Sequence, residues 1–193
     1  MSLPHSPDKG QADRQVVTLE DDAGRSLLCW VEHSFYAGST DYLLLVPVDA
    51  PAMVLTWEES DSDSAEVTWI EDAEMLAALF PDARAVLAEQ NLILQDAAYT
   101  LTIAGDLPEP AEDDILTVEL DEDAVEPDAE DLAYLTEFYH EGRAYEIYTP
   151  LEPLLLPAKQ VGRHLELLEP EEVERIQPHL QAWLESVAVD EIS

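Results

Sequence analysis

The chain has 193 residues, 44 Asp and Glu against 8 Lys and Arg, and a formal net charge of -36 at pH 7, yet 47% of it is hydrophobic. That charge argues against direct nucleic-acid binding, which needs basic residues this sequence lacks, and against attraction to an anionic membrane surface. A single cysteine, Cys29, excludes an intramolecular disulfide and any multi-cysteine metal site, and six scattered glycines leave no phosphate-cradling loop.

In chain order, residues 1–14 read as a disordered tail. They are polar, contain Pro4 and Pro7, and lack both the apolar stretch of a secretory signal and the arginine-rich pattern of a transit peptide, so a cytoplasmic location is expected. Val17 and Leu19 alternate with polar neighbours, Asp21-Asp22-Ala23-Gly24 is a turn, and a strand runs from Ser26 to His33. Ala37 to Asp41 turns the chain into Tyr42–Val46. The longest apolar run, Leu43 to Val48, is broken by Pro47 and falls far short of the roughly 20 residues that span a bilayer, so no membrane insertion is expected. Val67 to Glu71 reads as a strand. A helix starts at Asp72 as N-cap, carries Met75, Leu76, Leu79, Val86 and Leu87, and is expected to break at Pro81.

Leu92–Leu94 and Tyr99–Ile103 then form a hairpin-like pair, the second with strict alternation. From Asp106 to Asp131 there are thirteen acids and no base, although Leu116 to Leu120 still alternates as a strand. Leu132, Leu135 and Phe138 have helical spacing, but their correspondence with the first part of the chain assigns them to a strand. Leu165 to Glu169 reads as a further strand, and Pro170 opens a helix with Glu171 and Glu172 at its positive end. Val173, Ile176, Leu180, Trp183, Leu184 and Val187 form its apolar stripe, expected to pack on the second sheet.

An internal duplication organises these pieces. Phe35-Tyr36, Tyr42 and Pro47 recur as Phe138-Tyr139, Tyr145 and Pro150 at one offset of 103 residues. An insertion around Asp61-Ser62-Asp63-Ser64 accounts for the shorter offset further on. The expected fold is therefore α+β: two related antiparallel β-rich units, each followed by a C-terminal helix, over residues 15–90 and 91–193. The second unit would include the hairpin and the acidic segment 106–131. The six repeated aromatics are expected to form the core and hydrogen-bonded rim of each sheet.

Motifs for chemistry are incomplete. His140-Glu141 begins like a zinc-protease helix, but Ala144 stands where a second histidine is needed. Asp61-Ser62-Asp63 and Asp121-Glu122-Asp123 begin like calcium loops and have Glu66 and Glu126 at the glycine position. No metal site, cofactor or catalytic residue is indicated.

The unit strand, acidic turn with Gly, strand, F-x-Y-x-G-x-x-Y, apolar strand, acidic stretch, helix is carried here by Thr18–Gly24, Phe35–Gly38, Tyr42–Pro47 and Phe138–Tyr145. In these features the chain resembles a family of uncharacterised acidic proteins of cyanobacteria and plastids, and a doubled form of a shorter acidic bacterial domain. One extra residue between Gly38 and Tyr42 departs from the pattern. The resemblance implies a bacterial or plastid soluble setting and brings no catalytic residues with it.

The function expected from the sequence is a non-enzymatic interaction or assembly factor for a basic protein surface, a nucleic-acid mimic being a special case. Its expected contact residues are Asp121, Glu122, Asp123, Glu126, Asp128, Glu130 and Asp131. The alternative is a carboxylate-dependent or metal-dependent hydrolase with a cleft between the units.

Overall fold

The computed structural model describes residues 15–59, 65–119 and 129–190. In chain order the elements are β1 (Val16–Glu20), β2 (Ser26–Ala37), β3 (Thr40–Pro47), β4 (Ala50–Glu59), β5 (Ala65–Trp69), α1 (Ala73–Glu89), β6 (Ile93–Asp96) and β7 (Leu101–Ala104). A 3-10 turn (Glu112–Asp114) follows, then β8 (Ile115–Glu119), β9 (Ala129–His140), β10 (Arg143–Pro150), β11 (Leu156–Val161), β12 (His164–Leu167) and α2 (Pro170–Asp190). Antiparallel strands with two helices make a broadly α+β fold. The ambiguous segment Leu132–Phe138 lies in β9 and is a strand, not a helix.

The chain divides into two compact units, each discontinuous in sequence. Among the described residues one comprises 15–19, Cys29–Val46 and 155–190, the other Glu20–Leu28, 47–59, 65–119 and 129–154. They cut across the expected division into 15–90 and 91–193. The physical reason is strand pairing: β3 pairs with β11, and β10 pairs with β4. The expected tail 1–14 and the insertion around Asp61–Ser64 lie outside the described residues.

The first unit holds a five-stranded sheet in the order β1-β2-β3-β11-β12. α2 lies against β2, where Trp183 stacks on His33 at 5.3 Å and His179 on Phe35 at 5.3 Å. This corrects the expectation that α2 packs on a sheet built from its own half of the chain. Its apolar stripe is also thinner than expected: Ile176 is buried, Leu180 and Trp183 are half-buried, and Leu184 is exposed. Lys159 on β11 reaches Glu172 on α2 at 2.6 Å, and this bond holds the Glu172 carboxyl below its ordinary range. Cys29 is fully buried, and burial pushes its thiol up to about 11. The thiolate is the reactive form. Native protein at pH 7.5 is therefore expected to resist alkylation for hours and to react within minutes once urea unfolds it, as read by mass spectrometry. Rapid labelling of the native chain would contradict the burial.

The second unit holds a seven-stranded sheet in which β6-β7-β4-β10-β9-β8 run in order and β5 adds to β4. Its helix, α1, begins as the sequence predicts: the Asp72 carboxylate accepts from the Met75 N–H at 2.8 Å and satisfies one of the open donors of the first turn. Leu79, Ala83 and Leu87, spaced by four, are buried against Ala52, Val54, Phe138, Tyr145 and Ile147 of the sheet. The expected break at Pro81 does not occur, and the helix runs through it. Pro81 and Ala77 both lie on the exposed side, where water can meet the carbonyl that the proline leaves unpaired. The buried face on either side holds the axis.

The two sheets follow one strand plan. β2 and β9 each have twelve residues and β3 and β10 each have eight, and both pairs close on two-residue turns with a left-handed first position, Gly38 at φ 67° and Glu141 at φ 50°. In the first sheet Leu43, Leu44 and Leu45 face Ala158, Pro157 and Leu156. In the second, Glu146, Ile147 and Tyr148 face Leu55, Val54 and Met53. Every residue in one set lies 103 positions from its counterpart in the other. Each helix carries a proline at its ninth residue, Pro81 and Pro178.

The repeated aromatics follow the plan with unequal burial. Phe35 stacks on Tyr42 at 5.3 Å and Phe138 on Tyr145 at 5.5 Å. Phe138 and Tyr145 are core residues, whereas Phe35 and Tyr42 are half-buried. Tyr36 and Tyr139 are each 64% exposed, which removes both from the expected core.

Candidate interaction surface

Side-chain alternation gives the second unit's sheet two unlike faces. One is the core under α1. The other carries Met53, Leu55, Val67, Trp69, Leu116, Val118, Leu132, Tyr134 and Tyr148 in a second apolar cluster. Trp57, 40% exposed, continues it along β4.

A carboxylate sits in this face. Glu146 on β10 is half-buried, and its Oε2 accepts from the Trp57 indole Nε1–H at 2.8 Å and from the Tyr148 hydroxyl at 2.9 Å. Tyr148 is backed edge-on by Tyr134, with ring centroids 5.6 Å apart. A register shift between Ile147 and Tyr148 marks a local bulge in β10, a feature that re-aims side chains. Beside these residues the 3-10 turn presents Asp113 and Asp114, both exposed. The two aspartates, Ile115 and Leu116 of β8, and Tyr134, Glu146 and Tyr148 line an open surface cavity of about 330 Å³.

The electrostatics are one-sided. Burial pushes the Tyr148 phenol well up, and the Glu146 carboxylate pushes it further. Tyr134 is raised by burial first, then by Glu146, Glu137 and Asp114. Three bases are paired elsewhere: Arg25 with Asp21 and Asp96, Arg143 with Glu58, and Lys159 with Glu172. Among the described residues no base pairs with Asp113, Asp114 or Glu146. Among them, too, no group of three or more His, Cys, Asp or Glu is placed to hold a metal ion.

Of the seven contact residues expected from the sequence, Asp121, Glu122, Asp123, Glu126 and Asp128 lie outside the described residues. Glu130 and Asp131 lie on β9, opposite Val118 and Thr117 of β8. Glu130 is half-buried, and exposed Asp131 accepts from the Thr117 hydroxyl. Among the described residues β8 is the outermost strand on this side of the sheet, with β9 as its one strand partner. The sequence reading passed over Glu146, Trp57, Tyr134 and Tyr148. One signal for them was present: at positions 103 residues earlier, the first sheet has Leu43 for Glu146 and Leu45 for Tyr148, so the plan itself does not require a carboxylate or a phenol there.

Residues 91–186 match a family model described as "Protein of unknown function (DUF3727)". That span runs from just before β6 into α2 and contributes strands to both sheets. No match was found among curated proteins or among solved structures. No helix among the described residues is long and apolar enough to cross a membrane.

Proposed function

We propose that this protein is a non-enzymatic interaction or assembly factor that binds a basic protein surface, with the acids of β8, β9 and the chain segment that joins them as its contact residues. The observation that carries the reading is the carboxylate set Asp113, Asp114 and Glu146, with no paired base among the described residues, beside β8, the outermost described strand, in a chain of net charge -36. Complementary charge raises encounter rates and rejects acidic competitors, and aromatic groups such as Trp57 and Tyr134 provide contact area. The seven acids Asp121, Glu122, Asp123, Glu126, Asp128, Glu130 and Asp131 extend that face in this proposal. The same reading treats the chain as an internal duplication, supported by the shared offset of 103 residues and by Pro81 and Pro178. In it, one copy keeps an aliphatic sheet face and the other has diverged toward binding.

The test begins with co-purification from the native cell at low salt, followed by titration of the identified basic protein. Converting the seven acids to their amides is expected to weaken binding on the order of tenfold or more at 0.1 M salt and to flatten its salt dependence, because rim charges act through a Debye length of about 10 Å. Circular dichroism should show the fold unchanged. Equal affinity of the two forms at low salt would move the contact face elsewhere.

A further inference from the structure

We infer that the cavity bounded by Asp113, Asp114, Tyr134, Glu146 and Tyr148 is a seat for one arginine side chain of the basic partner. This rests on the proposed function and deepens it, by naming the group recognised and where it lodges. Three features of the cavity select a guanidinium. Half-buried Tyr134, backed edge-on by buried Tyr148, contributes aromatic surface, on which a planar guanidinium stacks better than a compact ammonium does. Glu146 is held in place by Trp57 and Tyr148 through a single oxygen, Oε2, so its acceptor is oriented before any ligand arrives. The turn acids Asp113 and Asp114 supply further charge-assisted acceptors, which suit the fork of guanidinium donors.

The equivalent strand positions of the first sheet isolate what is special here. Leu43, Leu45 and Gln160 stand 103 residues from Glu146, Tyr148 and Trp57, and Val31 stands 103 residues before Tyr134. The same strand plan forms with aliphatic groups and an amide at those places, so the carboxylate, the phenols and the indole are not needed to build the sheet. Their arrangement also leaves the Glu146 charge without an internal counter-ion among the described residues. A half-buried carboxylate met only by neutral donors gains further from a cation that fills the space beside it. Burial raises the phenols of Tyr134 and Tyr148, and the charges of Glu146 and Asp114 raise them further.

The Trp57 indole N–H, donated to Glu146, is a built-in reporter. The experiment titrates full-length 15N-labelled protein at 0.15 M salt with a blocked Gly-Arg-Gly peptide, its lysine counterpart and its neutral citrulline counterpart, and follows the indole resonance assigned through Trp57→Phe. The arginine peptide is expected to shift that resonance saturably, the lysine peptide at least threefold more weakly, and the citrulline peptide not at all. Glu146→Gln keeps an acceptor for Trp57 and Tyr148 while removing the charge, and should lower arginine affinity at least tenfold. If Glu146→Gln does not fold, Asp113→Asn/Asp114→Asn on the exposed turn decides the matter, with an expected loss of threefold or more. Equal response to lysine, any saturable response to citrulline, or undiminished arginine binding by the folded variants overturns the inference. The wider reading fails separately, because the seven-amide form leaves every residue of this cavity intact. A cavity that ignores arginine while the seven-amide form loses its partner would sink the arginine seat alone. A cavity that takes arginine while the seven-amide form binds its partner normally would sink the extended acidic face.

Discussion

Cysteines placed at Tyr42 and Lys159, in a Cys29→Ser background, are expected to oxidise to an intramolecular disulfide joining β3 to β11. The two residues are directly opposed in an antiparallel pair and both are half-buried. Opposed Cα atoms lie about 4.5–5.5 Å apart, within the range that a disulfide bridges. The cross-link closes a loop of about 118 residues, for which the chain-entropy model gives a stabilisation of about 5 kcal/mol. Loss of the Lys159–Glu172 contact and of the Tyr42–Phe35 stack should reduce the net gain to about 2–4 kcal/mol in urea unfolding. The informative control is Glu146→Cys with Ala158→Cys. That pair would face each other if β10 and β11 formed a hairpin, by analogy with Leu43 and Ala158. In the structure Glu146 faces Leu55 and Ala158 faces Leu43, so no disulfide should form. Efficient oxidation of the control and none of the first pair would show that the strands are joined the other way.

The second large effect is unequal between corresponding residues. Phe138→Ala is expected to cost about 3–5 kcal/mol, because the ring is 2% exposed, stacks on buried Tyr145 and belongs to the core beneath α1. Phe35→Ala removes the same ring from the corresponding place in β2, but there the residue is half-buried, and the cost should be about 1–2 kcal/mol. Phe35→Ala removes stacks on His33, Tyr42 and His179 whereas Phe138→Ala removes one on Tyr145, so a smaller loss at Phe35 shows that burial outweighs ring stacking. Urea unfolding followed by tryptophan fluorescence checks both values. Losses equal within error would mean that the first unit's aromatic cluster is packed as tightly as the second's.

Local chemistry determined most of the elements. Asp72 caps α1 because a carboxylate three residues before an amide can accept from it whatever lies further away. The turns at Gly38-Ser39 and Glu141-Gly142 follow from short loops between alternating strands, and the aromatic spacing gave the offset of 103 residues. These depend on neighbours within a few residues. Pro81 shows the limit of local reasoning. The proline removes one helical hydrogen bond wherever it stands, but whether the helix ends there depends on the buried contacts of Leu79, Ala83 and Leu87 on either side.

Strand partnership was the part that only the tertiary structure decided. The apolar runs around Val54 and Pro157 meet β10 and β3 in matching registers, so periodicity alone does not distinguish β3 pairing with β4 from β3 pairing with β11. The choice rests on non-local packing, where each strand must satisfy a sheet and a helix at once. The cavity at Glu146 was hidden for the same reason. In sequence it is one acid among 44, and it becomes distinctive only when Trp57, 89 residues away, and the turn at Asp113 and Asp114 are brought beside it. Charge is set by composition, but its local strength is set by which groups share a dry face, and that is a property of the folded chain.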